Sequence, residues 1–135
     1  MAPPPQDLDF TLSCKTLYRD SILITSYFIQ KMIIYSIIQN KYQEIPNLVL
    51  NANYHKFMLK GNNRVYLFEK GGRIFESSEN NILSWNQLWN NNLPNNNPLQ
   101  SSAVQYKCCL YFVHYKNELW KFDLASKRVS QVATF

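Results

Sequence analysis

The sequence predicts an all-β chain of three consecutive, four-stranded antiparallel repeats of about 44 residues each. Three observations lead there. Aromatics make up 15% of the 135 residues and Ile, Val and Tyr are abundant, which suits strands. Sixteen asparagines, with Gly, Asp and Lys, cut the apolar runs into short segments at turn-forming positions. Finally, two sets of anchors recur at a nearly constant spacing. Ile22-Leu23-Ile24, Val65-Tyr66-Leu67 and Leu110-Tyr111-Phe112 lie 43 and 45 residues apart. Tyr42, Trp85 and Val129 lie 43 and 44 apart, and Ile45, Leu88 and Val132 follow each by three. Without a gap, YSIIQNKYQEI (35–45) overlays FDLASKRVSQV (122–132).

In chain order, residues 1–9 are a Pro-rich polar arm, and residues 10–135 form a single β-repeat domain. The first repeat, 10–47, reads as strands at 10–16, 22–24, 32–38 and 42–45, with turns at 17–20 and 39–41. The second, 48–90, has strands at 53–59, 65–68, 74–76 and 83–88. Its turns are Gly61-Asn62-Asn63, the hairpin Lys70-Gly71-Gly72 and a polar stretch at 77–81; glycines tolerate the positive φ of tight hairpins. Residues 90–100 are a low-complexity Asn/Pro loop. The third repeat, 101–135, runs from a strand at 103–106 through the stretch 110–132, with a hairpin at Tyr115-Lys116-Asn117-Glu118 and a turn over 123–128.

A four-stranded sheet has two faces to bury and cannot bury both alone. Stacking sheets face to face solves this, and closing the stack into a ring leaves only short edges. Helical repeats fit poorly, because no 3.6-residue periodicity is present. The recurring pattern is strand, tight hairpin, strand, short polar turn, then an aromatic three to four residues before an aliphatic, matched in part by IYSIIQNKYQEIPN (34–47), NILSWNQL (81–88) and ELWKFDLASKRVSQV (118–132). This pattern resembles kelch-type β-propeller blades. Tyr42 and Trp85 stand where that family places its fourth-strand aromatic, and His55 stands where it often has a first-strand histidine. The double glycine survives only as Gly71-Gly72, and Val129 replaces the aromatic in the third repeat. The resemblance implies a partial or half propeller. Three blades do not close a ring, since propellers typically have about four to eight. Either two copies then form a six-bladed ring, or another polypeptide covers the ends of the stack, or the chain forms some other compact β structure.

Composition narrows the function. The start, MAPPPQDLDF, has no basic n-region and no apolar h-region, and Cys14, Cys108 and Cys109 are an odd number, so reduced thiols in an intracellular, cytoplasmic protein are expected. The most apolar run, 21–38, carries Gln30 and Lys31 at its centre, which disfavours a membrane span. No cofactor or metal is expected. His55 and His114 form no spaced pair, there is no C-x-x-C, and the adjacent Cys108 and Cys109, expected on one strand, point to opposite faces. Nor is there a nucleophile with an orienting base, so the chain is expected not to be an enzyme. Asp123 is expected to accept backbone N–H bonds in its turn. Tyr66, Tyr111, Trp120 and Phe122 are expected between sheets, and Trp85 in the core.

The expected function is a non-catalytic protein–protein interaction module in a homodimer or larger assembly. The candidate partner-binding residues are Lys70, Arg73 and Lys116 on the hairpins, and Trp89 beside the Asn/Pro loop. A rival reading, an RNA- or ribonucleoprotein-associated subunit, follows from the net charge of +5. A second rival, a sugar-binding or enzymatic propeller, needs polar side chains converging at the ring centre.

Overall fold

Alternation of side chains along a strand decides which residues meet which sheet. The computed structural model describes residues 13–70, 72–88, 103–114 and 117–135, all as strands and connections. The strands are β1 (Ser13–Tyr18), β2 (Ser21–Ser26), β3 (Ile33–Ser36), β4 (Lys41–Glu44), β5 (Lys56–Gly61), β6 (Arg64–Glu69), β7 (Arg73–Ser78), β8 (Asn81–Leu88), β9 (Val104–Tyr106), β10 (Cys109–His114), β11 (Glu118–Asp123) and β12 (Arg128–Thr134). They form three antiparallel four-stranded sheets, β1–β4, β5–β8 and β9–β12, each in sequence order.

The middle sheet shows the packing rule. On β6, Val65 and Leu67 point toward the first sheet, and Tyr66 and Phe68 toward the third; all four are fully buried. Toward the first sheet they join Cys14, Leu23, Met32, Ile34, Met58 and Phe75. Toward the third they join Phe57, Leu59, Ile74, Leu110, Phe112 and Phe122. This second layer is largely aromatic. Phe57 stacks on Phe68 with centroids 4.7 Å apart, and Phe122 meets Tyr66 edge-on at 4.9 Å.

The first hairpin of every sheet has a two-residue loop. Arg19, Asn62 and Lys107 open these loops with φ of 53°, 52° and 54°. Asn63, at 59°, gives the β5–β6 hairpin two consecutive left-handed residues, as a type I′ turn requires. The next residue inward, Gly61, has a different reason to be glycine. A Cβ there would lie 2.7 Å from a Leu110 methyl of the third sheet. Leu110 is fully buried and has little room to retreat. Gly61→Ala is expected to destabilise the chain by about 1–3 kcal/mol through overpacking, read as a lowered urea midpoint with an unchanged slope.

Polar groups also cross between sheets. Tyr18 Oη lies 3.0 Å from the Asn63 carbonyl oxygen and 3.2 Å from that of Glu79, donating from the first sheet to turns of the second. Lys56 Nζ donates to the carbonyls of Ser26 (2.8 Å), Ile29 (3.1 Å) and Tyr54 (3.2 Å), so a buried ammonium ties the β2–β3 loop to β5. Fully buried Glu69 accepts from the backbone and side-chain amides of Asn51 at 2.8 and 2.6 Å. Lys127, in the β11–β12 turn, reaches Glu76 and donates to Tyr66 Oη at 3.1 Å, joining the third sheet to the second. Burial opposes the charge on Lys127, but these hydrogen bonds outweigh it and hold its pKa above the ordinary lysine value.

Several expectations needed correction. The first strand ends at Tyr18, two residues beyond the expected 16, so only Arg19 and Asp20 turn; residues 10–12 lie outside the described residues. The third strand stops at Ser36, and Ile37 and Ile38 are exposed beyond it. β5 starts at Lys56 rather than 53, because Asn53 has a φ of 62°. β7 continues through Ser78, with Ser77 Oγ accepting from Val65 N. Trp85 is only partly buried against the first core layer. Tyr66, Trp120 and Phe122 are buried as expected, but Tyr111 is half-exposed. Cys108 sits in the β9–β10 turn, not on the strand, so its thiol does not oppose that of Cys109.

Candidate partner-binding surface

The repeat spacing assigns every side chain two equivalents in the other sheets, and the end sheets break the equivalence. Phe57 and Leu59 on β5 are buried against the third sheet. The counterpart of Leu59 on β9, Val104, is 68% exposed. Tyr18 is 8% exposed, Gly61 abuts Leu110, and the third residue of that set, Tyr106, is 61% exposed. Leu23 and Tyr66 are fully buried, whereas Tyr111 is half-exposed. The third sheet thus presents outward the face that the first two sheets bury against their next neighbour. Val113 and Leu119, paired across β10 and β11, continue this face.

The first sheet presents the complementary face. Val65, Leu67, Leu110 and Phe112 are at most 2% exposed. Their counterparts Ile22 and Ile24 are half-buried, and Leu17 beside them on β1 is 50% exposed. The two outward faces therefore have the same chemistry as the two pairs of faces already joined inside the chain.

A polar cleft of about 460 Å³ opens where the first hairpins of the three sheets approach each other. Its wall includes Arg19, Lys60, Arg64, Asn62, Asn63 and Gln105. The three cations differ in freedom. Arg64 lies 3.6 Å from Glu76 and 3.7 Å from Glu79. Arg19 lies over the Tyr18 ring at 5.1 Å, and Lys60 is exposed. Gln105 Nε2 donates to Asn62 Oδ1 at 3.0 Å, fixing the far wall.

Two of the sequence-predicted residues can be located. Arg73 starts β7 and is engaged inside the chain: its guanidinium lies 3.2 Å from Glu69, donates to the Val49 carbonyl at 2.7 Å and covers the Phe75 ring at 4.7 Å. Lys70, in the β6–β7 hairpin, donates its backbone N–H to the His55 carbonyl at 2.8 Å. His55 itself packs on Tyr27, and burial, then Lys70 and Lys56, hold its imidazole below the ordinary histidine range. Lys116, Trp89, the arm at 1–9 and the whole of the 90–100 loop lie outside the described residues. Among the described residues, no helix is long and apolar enough to cross a membrane.

No protein-family model and no curated protein matches the sequence. Solved structures do. The chain is similar to one in the S. cerevisiae complex of Dbp5 bound to Nup159, Gle1, IP6 and ADP, at 10% identity and a TM-score of 0.55, covering 91% of this chain and 33% of that one. It is similar to the N-terminal domain of Nup159, at 11% identity and 0.55, covering 90% and 33%. It is also similar to a chain of the nidogen/laminin complex, at 15% identity and 0.52, covering 87% and 43%. The three sheets are β-propeller blades. The chain spans only a third to under a half of these neighbours' length. At such identities the likeness is one of fold alone.

Sequence reasoning missed Val104 and Tyr106 as surface residues. The signal was available: stepping 43 and then 45 residues from Tyr18 gives Gly61 and Tyr106, and the last has no fourth blade to meet. Arg19, Lys60, Arg64 and Gln105 were missed because convergence of three separate hairpins is set by blade stacking, which no local pattern encodes.

Proposed function

We propose that the chain is a non-catalytic protein–protein interaction module of kelch-like blades. It works as a homodimer, in which two three-blade halves close one ring. The observation that supports this is the pair of outward faces. Val104, Tyr106 and Tyr111 on the third blade are counterparts of residues that mate with a next blade inside the chain. Ile22 and Ile24 on the first blade are counterparts of the residues that receive them. A second copy offers both faces in complementary order, so each third blade meets the other copy's first blade. Tyr106 then takes the role of Tyr18, its hydroxyl donating to a turn carbonyl of the second copy. A six-blade ring is within the usual propeller range. The non-catalytic reading is supported by the use of Lys56, Glu69, Glu76 and Lys127 as links inside and between blades.

Val104→Asp combined with Tyr106→Asp tests the proposal. Both residues lie outside the two core layers, so the melting temperature of the variant monomer should stay within a few degrees of that of the wild-type chain diluted to monomer. Sedimentation equilibrium is expected to give a dimer for the wild type and a monomer for the variant. A dimer that survives both substitutions would contradict the proposed contact.

The ribonucleoprotein reading draws on one observation, the Arg19, Lys60 and Arg64 cleft. It predicts binding of single-stranded RNA that weakens steeply with salt, with a shallower slope in Lys60→Ala.

A further inference from the structure

Cys108, Cys109 and Asp123 meet at one end of the third blade's central strands, beside the β9–β10 turn. Cys109 and Asp123 are direct partners across β10 and β11. Cys108 precedes them in the two-residue turn that begins at Lys107, whose φ of 54° bends the backbone there. The Leu124 N–H donates to the Cys108 carbonyl at 2.8 Å, holding that turn against the end of β11. Both sulfurs and a carboxylate oxygen lie within 4.8 Å of one another.

We propose that these three residues form a binding site for a soft divalent cation of the zinc class, with a fourth position open to water or to a partner's ligand. Two thiolates and a carboxylate are a donor set such ions accept. Zinc–sulfur bonds of about 2.3 Å put two sulfurs of a tetrahedral site roughly 3.8 Å apart, so the observed cluster needs only a small closure. The carboxylate is already oriented. Asp123 Oδ1 accepts from the backbone N–H groups of Ala125 (2.9 Å) and Ser126 (3.1 Å). Those hydrogen bonds depress its pKa, so it is ionised at neutral pH. The Cys109 thiol is held above its usual value by burial and by Cys108 and Asp123, with Lys121 opposing. Thiolate is the ligating form of cysteine, so binding releases protons and affinity rises with pH. Cys14 takes no part. It is buried in the other core layer, where burial pushes its thiol up to about 12.

The test is a Cd2+ titration of the reduced chain, freed of any purification tag, followed by the ultraviolet thiolate-to-cadmium band, with Zn2+ as competitor. One ion per chain is expected, with protons released on binding. Cys108→Ser and Cys109→Ser should each weaken binding at least tenfold, while Cys14→Ser should leave it unchanged. Asp123→Asn keeps the turn's acceptor oxygen and removes the charge, so it should weaken binding about tenfold at an unaltered melting temperature. The site is disproved if the band is absent, or if it persists when both Cys108 and Cys109 are serine.

Discussion

Lys56→Met is expected to destabilise the chain by about 3–5 kcal/mol, one of the two largest effects of any single substitution. Lys56 is 5% exposed, and its ammonium donates to the carbonyls of Ser26, Ile29 and Tyr54. Methionine fills the space but leaves those oxygens without the ammonium, while Glu69 keeps only its ion pair with Arg73 among the described contacts. Urea denaturation of the two proteins measures the loss. A cost below about 1 kcal/mol would mean that the loop carbonyls find other partners. The same residue gives a pH signature. Burial pulls the Lys56 pKa down to about 8, with Glu69 and Cys14 opposing and Arg73 reinforcing the shift. The folded chain then binds fewer protons than the unfolded chain between about 8 and the ordinary lysine value, so this contribution to stability rises with pH across that window. Cys14, pushed up to about 12, acts in the opposite sense above about 9. The rise is therefore clearest just above pH 8, and it should be absent in Lys56→Met.

Phe122→Ala is the second large effect, expected to cost about 3–5 kcal/mol. Phe122 is fully buried, edge-on to Tyr66 at 4.9 Å and to Phe68 at 5.4 Å. Its removal opens a cavity in the aromatic layer that joins the second and third blades. Hydrogen exchange should therefore speed up most in β9–β12, and least in β1–β4 on the far side of the molecule. The exposed residue Ile38, replaced by Ala, is the control and should stay within about 0.5 kcal/mol of the wild type. Uniform acceleration across all three sheets would show that the blades unfold as one unit.

The architecture was legible because the repeat imposes itself locally. Each blade restates strand, turn and strand with the same spacing, and the anchors at Val65, Leu110 and Val129 are all buried. Strand ends were less legible, since Asn53 and Asn40 look alike as turn residues and only hydrogen bonding decides how far a strand runs. The least legible features lie between blades. The carbonyl cage around Lys56 gathers residues from 26 to 54, and Lys127 reaches a glutamate 51 residues away. Arg73 read as a free hairpin cation because its partner, Glu69, looks in sequence like an ordinary strand-end charge; burial of that carboxylate recruits it. The vicinal cysteines misled in the same way, because a strand period was applied to a residue that lies in a turn.

Light scattering of the purified chain over a wide concentration range tests the central claim most directly. The account predicts a stable species at twice 16.0 kDa, two three-blade halves in one ring. A well-folded species at 16.0 kDa at every concentration would contradict it, since the faces carrying Val104, Tyr106, Ile22 and Ile24 would then need no second copy.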